Sequence, residues 1–214
     1  MPARSSATSK VARKPVQNRS RERVQKIIDA AEAIINEEGW GAASSHAIAK
    51  RAGVPPAGVY HFFPDRYMIF DAIIERNTLE FNEKFDSYCD QHTVESWQDV
   101  IRLLIQAMTD YVSADRCARE LSFGCDGEYQ TRWADSVRDM ELASTVEQVF
   151  TRYFEKPDAP HLDRKFLMVS DFIMTGFTQA VKHGDPMDHA ILEEMTDAVL
   201  AYMATWVGQP KRIN

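Results

Sequence analysis

The stretch Ile48-Ala49-Lys50-Arg51-Ala52-Gly53-Val54-Pro55-Pro56-Ala57-Gly58-Val59-Tyr60-His61-Phe62-Phe63-Pro64-Asp65-Arg66 decides the fold. Ile48, Ala49 and Ala52 share one face of a short helix, Lys50 and Arg51 take the other, and Ser44 or Ser45 stands where a helix cap belongs. Gly53 suits the positive φ of a sharp turn between helices. Pro55 and Pro56 preset a near-helical φ where the first amides of a helix lack partners anyway, so a third helix runs through Tyr60 to about Phe62. Pro64-Asp65 ends it and caps the next. Two short helices crossing at small residues, with a glycine between them, meet the requirements of a helix-turn-helix.

Upstream, Val24, Ile27, Ile28, Ala31, Ile34 and Ile35 line one face of a helix that stops at Gly39. Downstream, Ile69, Phe70, Ile73, Ile74, Phe81, Phe85 and Tyr88 keep helical spacing from Arg66 onward, interrupted only by Asn77. Further helical stripes run through Trp97 to Tyr111, Trp133 to Phe154, Phe166 to Ala180 and Leu192 to Trp206, with a weaker segment from Ala118 to Cys125 before a break at Gly127. With nine Gly and nine Pro in 214 residues and few alternating β-branched stretches, the pattern predicts an all-α protein.

Charge divides the chain. The net charge of -7 combines a positive surplus up to Arg66 with a larger negative one after it. Within the first 26 residues Arg4, Lys10, Arg13, Lys14, Arg19, Arg21, Arg23 and Lys26 face only Glu22, amid Ser, Thr, Pro and Ala. Residues 1–20 therefore read as a disordered basic arm, either a solvated tail or a nucleic-acid contact. The predicted helix-turn-helix domain covers 21–66, and a larger helical domain covers 67–214.

The quoted stretch closely resembles the TetR family of bacterial transcription regulators, whose N-terminal pattern reads roughly I-A-x-x-A-G-V-x-x-G-x-x-Y-x-x-F-x-x-K before an apolar helix. The resemblance spans about residues 22 to 75 and includes Gly39-Trp40. It implies a homodimer, by family habit a repressor, whose third helices enter successive major grooves of a palindromic operator ~34 Å apart. On that resemblance Tyr60 lies against a thymine methyl or a sugar, and His61 and Arg66 supply phosphate donors. Ser44, Ser45 and the amides beside them hold a further phosphate, and Lys50 clamps the backbone. Arg51 has two uses open to it, a phosphate clamp or an ion pair; Phe62 and Phe63 read as core. The third helix departs from the family pattern, because Pro55, Pro56, Ala57 and Gly58 bring few hydrogen-bonding groups to the bases. Readout then leans on close approach by Ala57 and Gly58, on Tyr60 and His46, and on shape sensed by the arm.

For the acidic half, the resemblance implies a pocket for a small, largely apolar effector and a dimerising helical bundle. The expected pocket residues are Leu104, Met108, Tyr111, Phe123, Trp133, Met140, Met168 and Phe172, Tyr111 and Trp133 each carrying a polar tip. The last two helices are apolar on more than one face, which predicts self-association. The interface is assigned to Phe166, Ile173, Phe177, Leu192, Met195, Val199, Tyr202 and Trp206. The long helix from Arg66 would carry a shift from pocket to reading helix, a coupling of ~1–3 kcal/mol.

Rival readings are an architectural DNA-binding protein without an effector and, more remotely, a metal-responsive regulator using His183, Asp185 and His189. No Gly-rich phosphate loop, G-x-S-x-G or H-E-x-x-H occurs, so neither an enzyme nor a cofactor is expected. No stretch reaches the ~18 apolar residues of a membrane span, and no signal peptide is read, which predicts a cytoplasmic protein. Cys89, Cys117 and Cys125, odd in number and without a C-x-x-C, read as buried free thiols.

Overall fold

The computed structural model describes residues 14–124 and 138–213. Helix α1 (Lys14–Glu38) buries Ile27, Ile28, Ala31, Ile34 and Ile35, the stripe expected from spacing. It begins within the stretch read as arm, so residues 14–20 are helical. Gly39, at φ +92°, turns the chain into a 3-10 turn (Trp40–Ala42) and then α2 (Ser45–Ala52). Ser44 is the cap of α2, its hydroxyl accepting the Ala47 amide at 3.2 Å. Gly53, in the left-handed region, ends α2 and leads to α3 (Pro56–Phe62). Asp65 then caps α4 (Arg66–Asp90), accepting from the Met68 amide at 3.0 Å.

Helix α5 (Trp97–Ala114) starts in a reciprocal Ser96–Asp99 capping box. The Ser96 hydroxyl, with the Ser96 and Glu95 amides, holds the Asp99 carboxyl below the usual carboxylate range. Helix α6 (Arg116–Arg119) passes into a π-helical turn (Glu120–Gly124). The remaining described helices are α7 (Arg138–Tyr153), α8 (Leu162–His183) and α9 (His189–Ala204). Beyond α9 the chain returns to the end of α7, where the Glu155 amide donates to the Lys211 carbonyl and the Ile213 amide to the Tyr153 carbonyl, both at 2.7 Å. No strand occurs among the described residues; one isolated bridge joins Phe154 and Arg212. None of the described helices is long and apolar enough to cross a membrane.

Two apolar cores result. The first joins α1, α2, α3 and the first half of α4, and it also takes in Cys117 and Leu121, both essentially fully buried. The second joins the end of α4 through Phe85 and Cys89 to α5, α7, α8 and α9. Helix α4 is thus shared between the cores, and the buried Asn77 lies between its two apolar stretches. Helices α8 and α9 pack tightly at Gly176, where an added Cβ would lie 2.2 Å from Met195 Cγ. Gly176→Ala should therefore cost about 1–3 kcal/mol of stability through overpacking, read from urea unfolding.

Candidate nucleic-acid interface

Helix α3 is held by one fully buried residue, Val59, and by the buried Phe63 just after it; Phe62 is half-buried. Turning Val59 inward leaves Ala57, Tyr60 and His61, at helical spacings of three and four, facing out. Tyr60 is 54% exposed although aromatic, and the His61 ring meets the Phe62 ring edge-on at 4.9 Å. A Cβ on Gly58 would meet only Pro55 Cδ at 3.9 Å, so the helix surface there is open. In α2, Ile48 and Ala49 point into the core while His46 and Lys50 are exposed. Ser44 is exposed and Ser45 half-buried at the start of α2.

Two cations expected at the nucleic acid have other partners. Arg51 forks onto Glu37 of α1, both nitrogens 2.5 Å from its carboxylate oxygens, and this hydrogen bonding holds the Glu37 carboxyl below the usual range. Of the two uses open to it, the ion pair is the one present in this structure. Arg66 is half-buried among three rings, with its guanidinium carbon 5.0 Å from the Tyr67 centroid, 5.4 Å from Trp40 and 5.9 Å from Phe70. Its Nη2 also donates to the Tyr67 hydroxyl at 3.3 Å. Three rings attract the flat cation at once, so Arg66 ties the start of α4 to the 3-10 turn.

The head is fastened to the helical half by polar contacts that spacing alone did not reveal. The Trp40 amide donates to Glu120 Oε2 at 2.7 Å, and Glu120 Oε1 accepts from Arg116 Nε at 2.6 Å. The Cys117 amide donates to Asn36 Oδ1 at 2.8 Å. Across α1 and α4, Arg76 bonds Asp29 at 2.7 Å and Glu32 at 2.6 Å; burial nevertheless holds the Glu32 carboxyl above its ordinary pKa. The i,i+4 spacing of Arg116 and Glu120 was the one sequence signal available. Burial also raises the Cys117 thiol well above the thiol range, which suits a core residue. Cys89 is a buried free thiol as well, and Cys125 lies outside the described residues.

Residues 27–73 match the family model described as bacterial regulatory proteins, tetR family. This stretch is a tetR-family domain. Over its length the chain also has the fold of TetR-family transcriptional regulators of known structure. It is similar to one from Streptomyces coelicolor at 21% identity and a TM-score of 0.61, covering 86% of this chain and 98% of that one. A TetR regulator from Rhodococcus sp. RHA1 gives 14% identity and a TM-score of 0.62, with 87% and 97% covered. RolR, solved with resorcinol, gives 14% and 0.62, with 85% and 89% covered. None of the curated proteins matches the chain.

Within this tetR-family architecture the expected pocket residues are scattered. Leu104 and Phe123 are buried, Phe123 stacking on Phe177 at 5.1 Å. Met108, Tyr111 and Phe172 are half-buried, Phe172 edge-on to Tyr202 at 5.4 Å, and Met168 is 40% exposed. Trp133 lies outside the described residues, as does the Met140 side chain. A cavity of about 600 Å³ lies between the 3-10 turn, the π-turn and the end of α8, bounded by Trp40, Glu120, Phe123, Gln179, Lys182 and Asp185. Another of about 460 Å³ lies between α5 and α9, beside Thr109, Asp110, His189 and Glu193. Among the described residues of the expected set, Phe123 alone borders either. No group of three His, Cys, Asp or Glu side chains able to hold a metal occurs among the described residues, so His183, Asp185 and His189 are not gathered.

The interface assignment needs correction. Phe166, Ile173, Phe177, Leu192, Met195 and Val199 are all buried inside the protomer, where they join α8 and α9 to the second core. Tyr202 and Trp206 are half-buried. Among the apolar residues of these helices that do reach the surface are Leu167, Met168, Phe172, Met174, Ala198 and Ala201. The stronger stripe on each helix went to the protomer core and the weaker one remained outside.

Arg66→Ala should lower stability by roughly 1–2 kcal/mol through the lost ring contacts. It should leave unchanged the slope of nucleic-acid affinity against salt, measured by fluorescence anisotropy; a flatter slope would restore Arg66 to the phosphate-contacting set.

Proposed function

We propose that this protein is a homodimeric DNA-binding transcriptional regulator, acting as a repressor that leaves a palindromic operator when a small, largely apolar effector binds the helical half. The observation that carries the reading is the outward face of α3, where Tyr60 stays 54% exposed beside Ala57 and His61 on a helix anchored by Val59. An aromatic left in water at the centre of a helix-turn-helix is suited to a groove. Ser44, Ser45, His46 and Lys50 flank that face and supply backbone contacts, and Gly58 lets the helix approach closely. The exposed Arg19, Arg21, Arg23 and Lys26 of α1 extend the positive field.

The second copy packs on the outward apolar face of α8 and α9 and sets the two reading helices one helical turn apart, ~34 Å. RolR, which shares the fold, holds resorcinol, and this supports an effector role for the helical half. Effector binding acts on α4 and on the π-helical turn after α6, which reach both cores. The near absence of hydrogen-bonding groups at Pro55, Pro56, Ala57 and Gly58 favours one second reading, an architectural protein with weak sequence preference.

Selection of bound sequences from a random DNA pool separates the two: a two-fold-symmetric site is expected, and broad unselective binding would favour the architectural role. On the selected site, Tyr60→Ala should cost about 1–3 kcal/mol of affinity, and Lys50→Ala should weaken all sequences alike. Glu37→Gln should release Arg51 toward phosphate, tightening binding to every sequence and steepening the salt slope by about one unit per half-site.

A further inference from the structure

The α4 stripe Ile73, Ile74, Phe81 and Phe85 is interrupted at Asn77, which is 7% exposed. Its side-chain Nδ2 is buried with no hydrogen-bond partner among the described residues. Leaving a buried amide unpaired is costly, and an aliphatic side chain there would carry no such cost. Beside it, the Tyr111 hydroxyl of α5 donates to the Asn77 backbone carbonyl over a long 3.4 Å. Phe81 meets the Tyr111 ring edge-on at 5.4 Å, and Lys84 Nζ sits 5.7 Å from the ring centroid. Burial, with the fields of Asp115, Glu80 and Glu32, pushes the Tyr111 hydroxyl up to about 12, so it remains a donor. The spot thus offers two donors and an aromatic wall, in a field where the carboxylates of Asp115, Glu80 and Glu32 outnumber the Lys84 cation and the nearby Arg76 is already paired with Asp29 and Glu32, which disfavours an anion.

We propose that the Asn77 amide and the Tyr111 hydroxyl form the polar end of the effector site, and that the effector is a neutral small molecule presenting a carbonyl or hydroxyl oxygen on an apolar body. This rests on the effector-responsive reading above. Neither cavity reaches Asn77, so the oxygen enters as the half-buried Tyr111 swings aside and its long bond to α4 is exchanged for a bond to the ligand. The exchange takes place on α4 between the two cores, where it can bias the reading head.

The test uses the full chain and four probes: acetophenone and phenol as neutral oxygen ligands, benzoate as the anion, and ethylbenzene as the hydrocarbon. Titration followed by NMR should show acetophenone and phenol binding more tightly than benzoate. Asn77→Leu should weaken both about 3–10-fold without weakening ethylbenzene, and should raise the Tm of the free protein by roughly 2–4 °C because the unpaired amide is gone. If Asn77→Leu does not fold, Asn77→Ala carries the same affinity comparison. Unchanged acetophenone affinity in the variant, tighter benzoate binding, a lowered Tm in a folded Asn77→Leu, or no probe binding would each overturn the proposal. Operator selection on the same preparation keeps the two readings apart: a recovered palindrome with no probe binding sinks only the effector site, and probe binding with no recovered sequence sinks only the regulator.

Discussion

Cys117 and Leu121, from the helical half of the chain, are buried in the same core as Ile48 and Val59, which hold the two helices of the reading head. The rest of the structure depends on that shared interior. A close-packed core transmits displacement because it has few voids to absorb it. The Glu120–Trp40 and Asn36–Cys117 hydrogen bonds join this insertion to the head.

Helix α4 provides the second connection and has a different character. Its first half is apolar and tied to α1 by Arg76, and its last turns belong to the other core. Between them lie Asn77, its Nδ2 unpaired among the described residues, and a long tyrosine hydrogen bond. A helix gripped at both ends and poorly satisfied in the middle is a suitable place for two arrangements to lie close in energy.

Charge is used at two levels. The basic surplus of the N-terminal part sets the field around the head, while individual cations are assigned by local geometry. Arg51 and Arg66 lie near α3 but are held by a carboxylate and by three rings. The side chains left exposed there are Tyr60, His46, His61 and Lys50, a set poor in groups for bidentate hydrogen bonding. That balance agrees with the proline, alanine and glycine at the start of α3.

Much of the fold was legible in the chain because local physics wrote it there. Helix ends at Gly39, Gly53, Ser44 and Asp65 follow from φ preference and capping, and buried faces follow from a 3.6-residue period. The exposed face of α3 followed from the same period once Val59 was placed inside. Tertiary structure alone decided which of two apolar stripes on α8 and α9 faces the protomer, since period identifies a stripe but not its partner. It also decided that Arg51 pairs with Glu37, that Arg66 lies among three rings and that the Asn77 Nδ2 has no partner among the described residues, because long side chains and buried amides take their roles from neighbours distant in sequence.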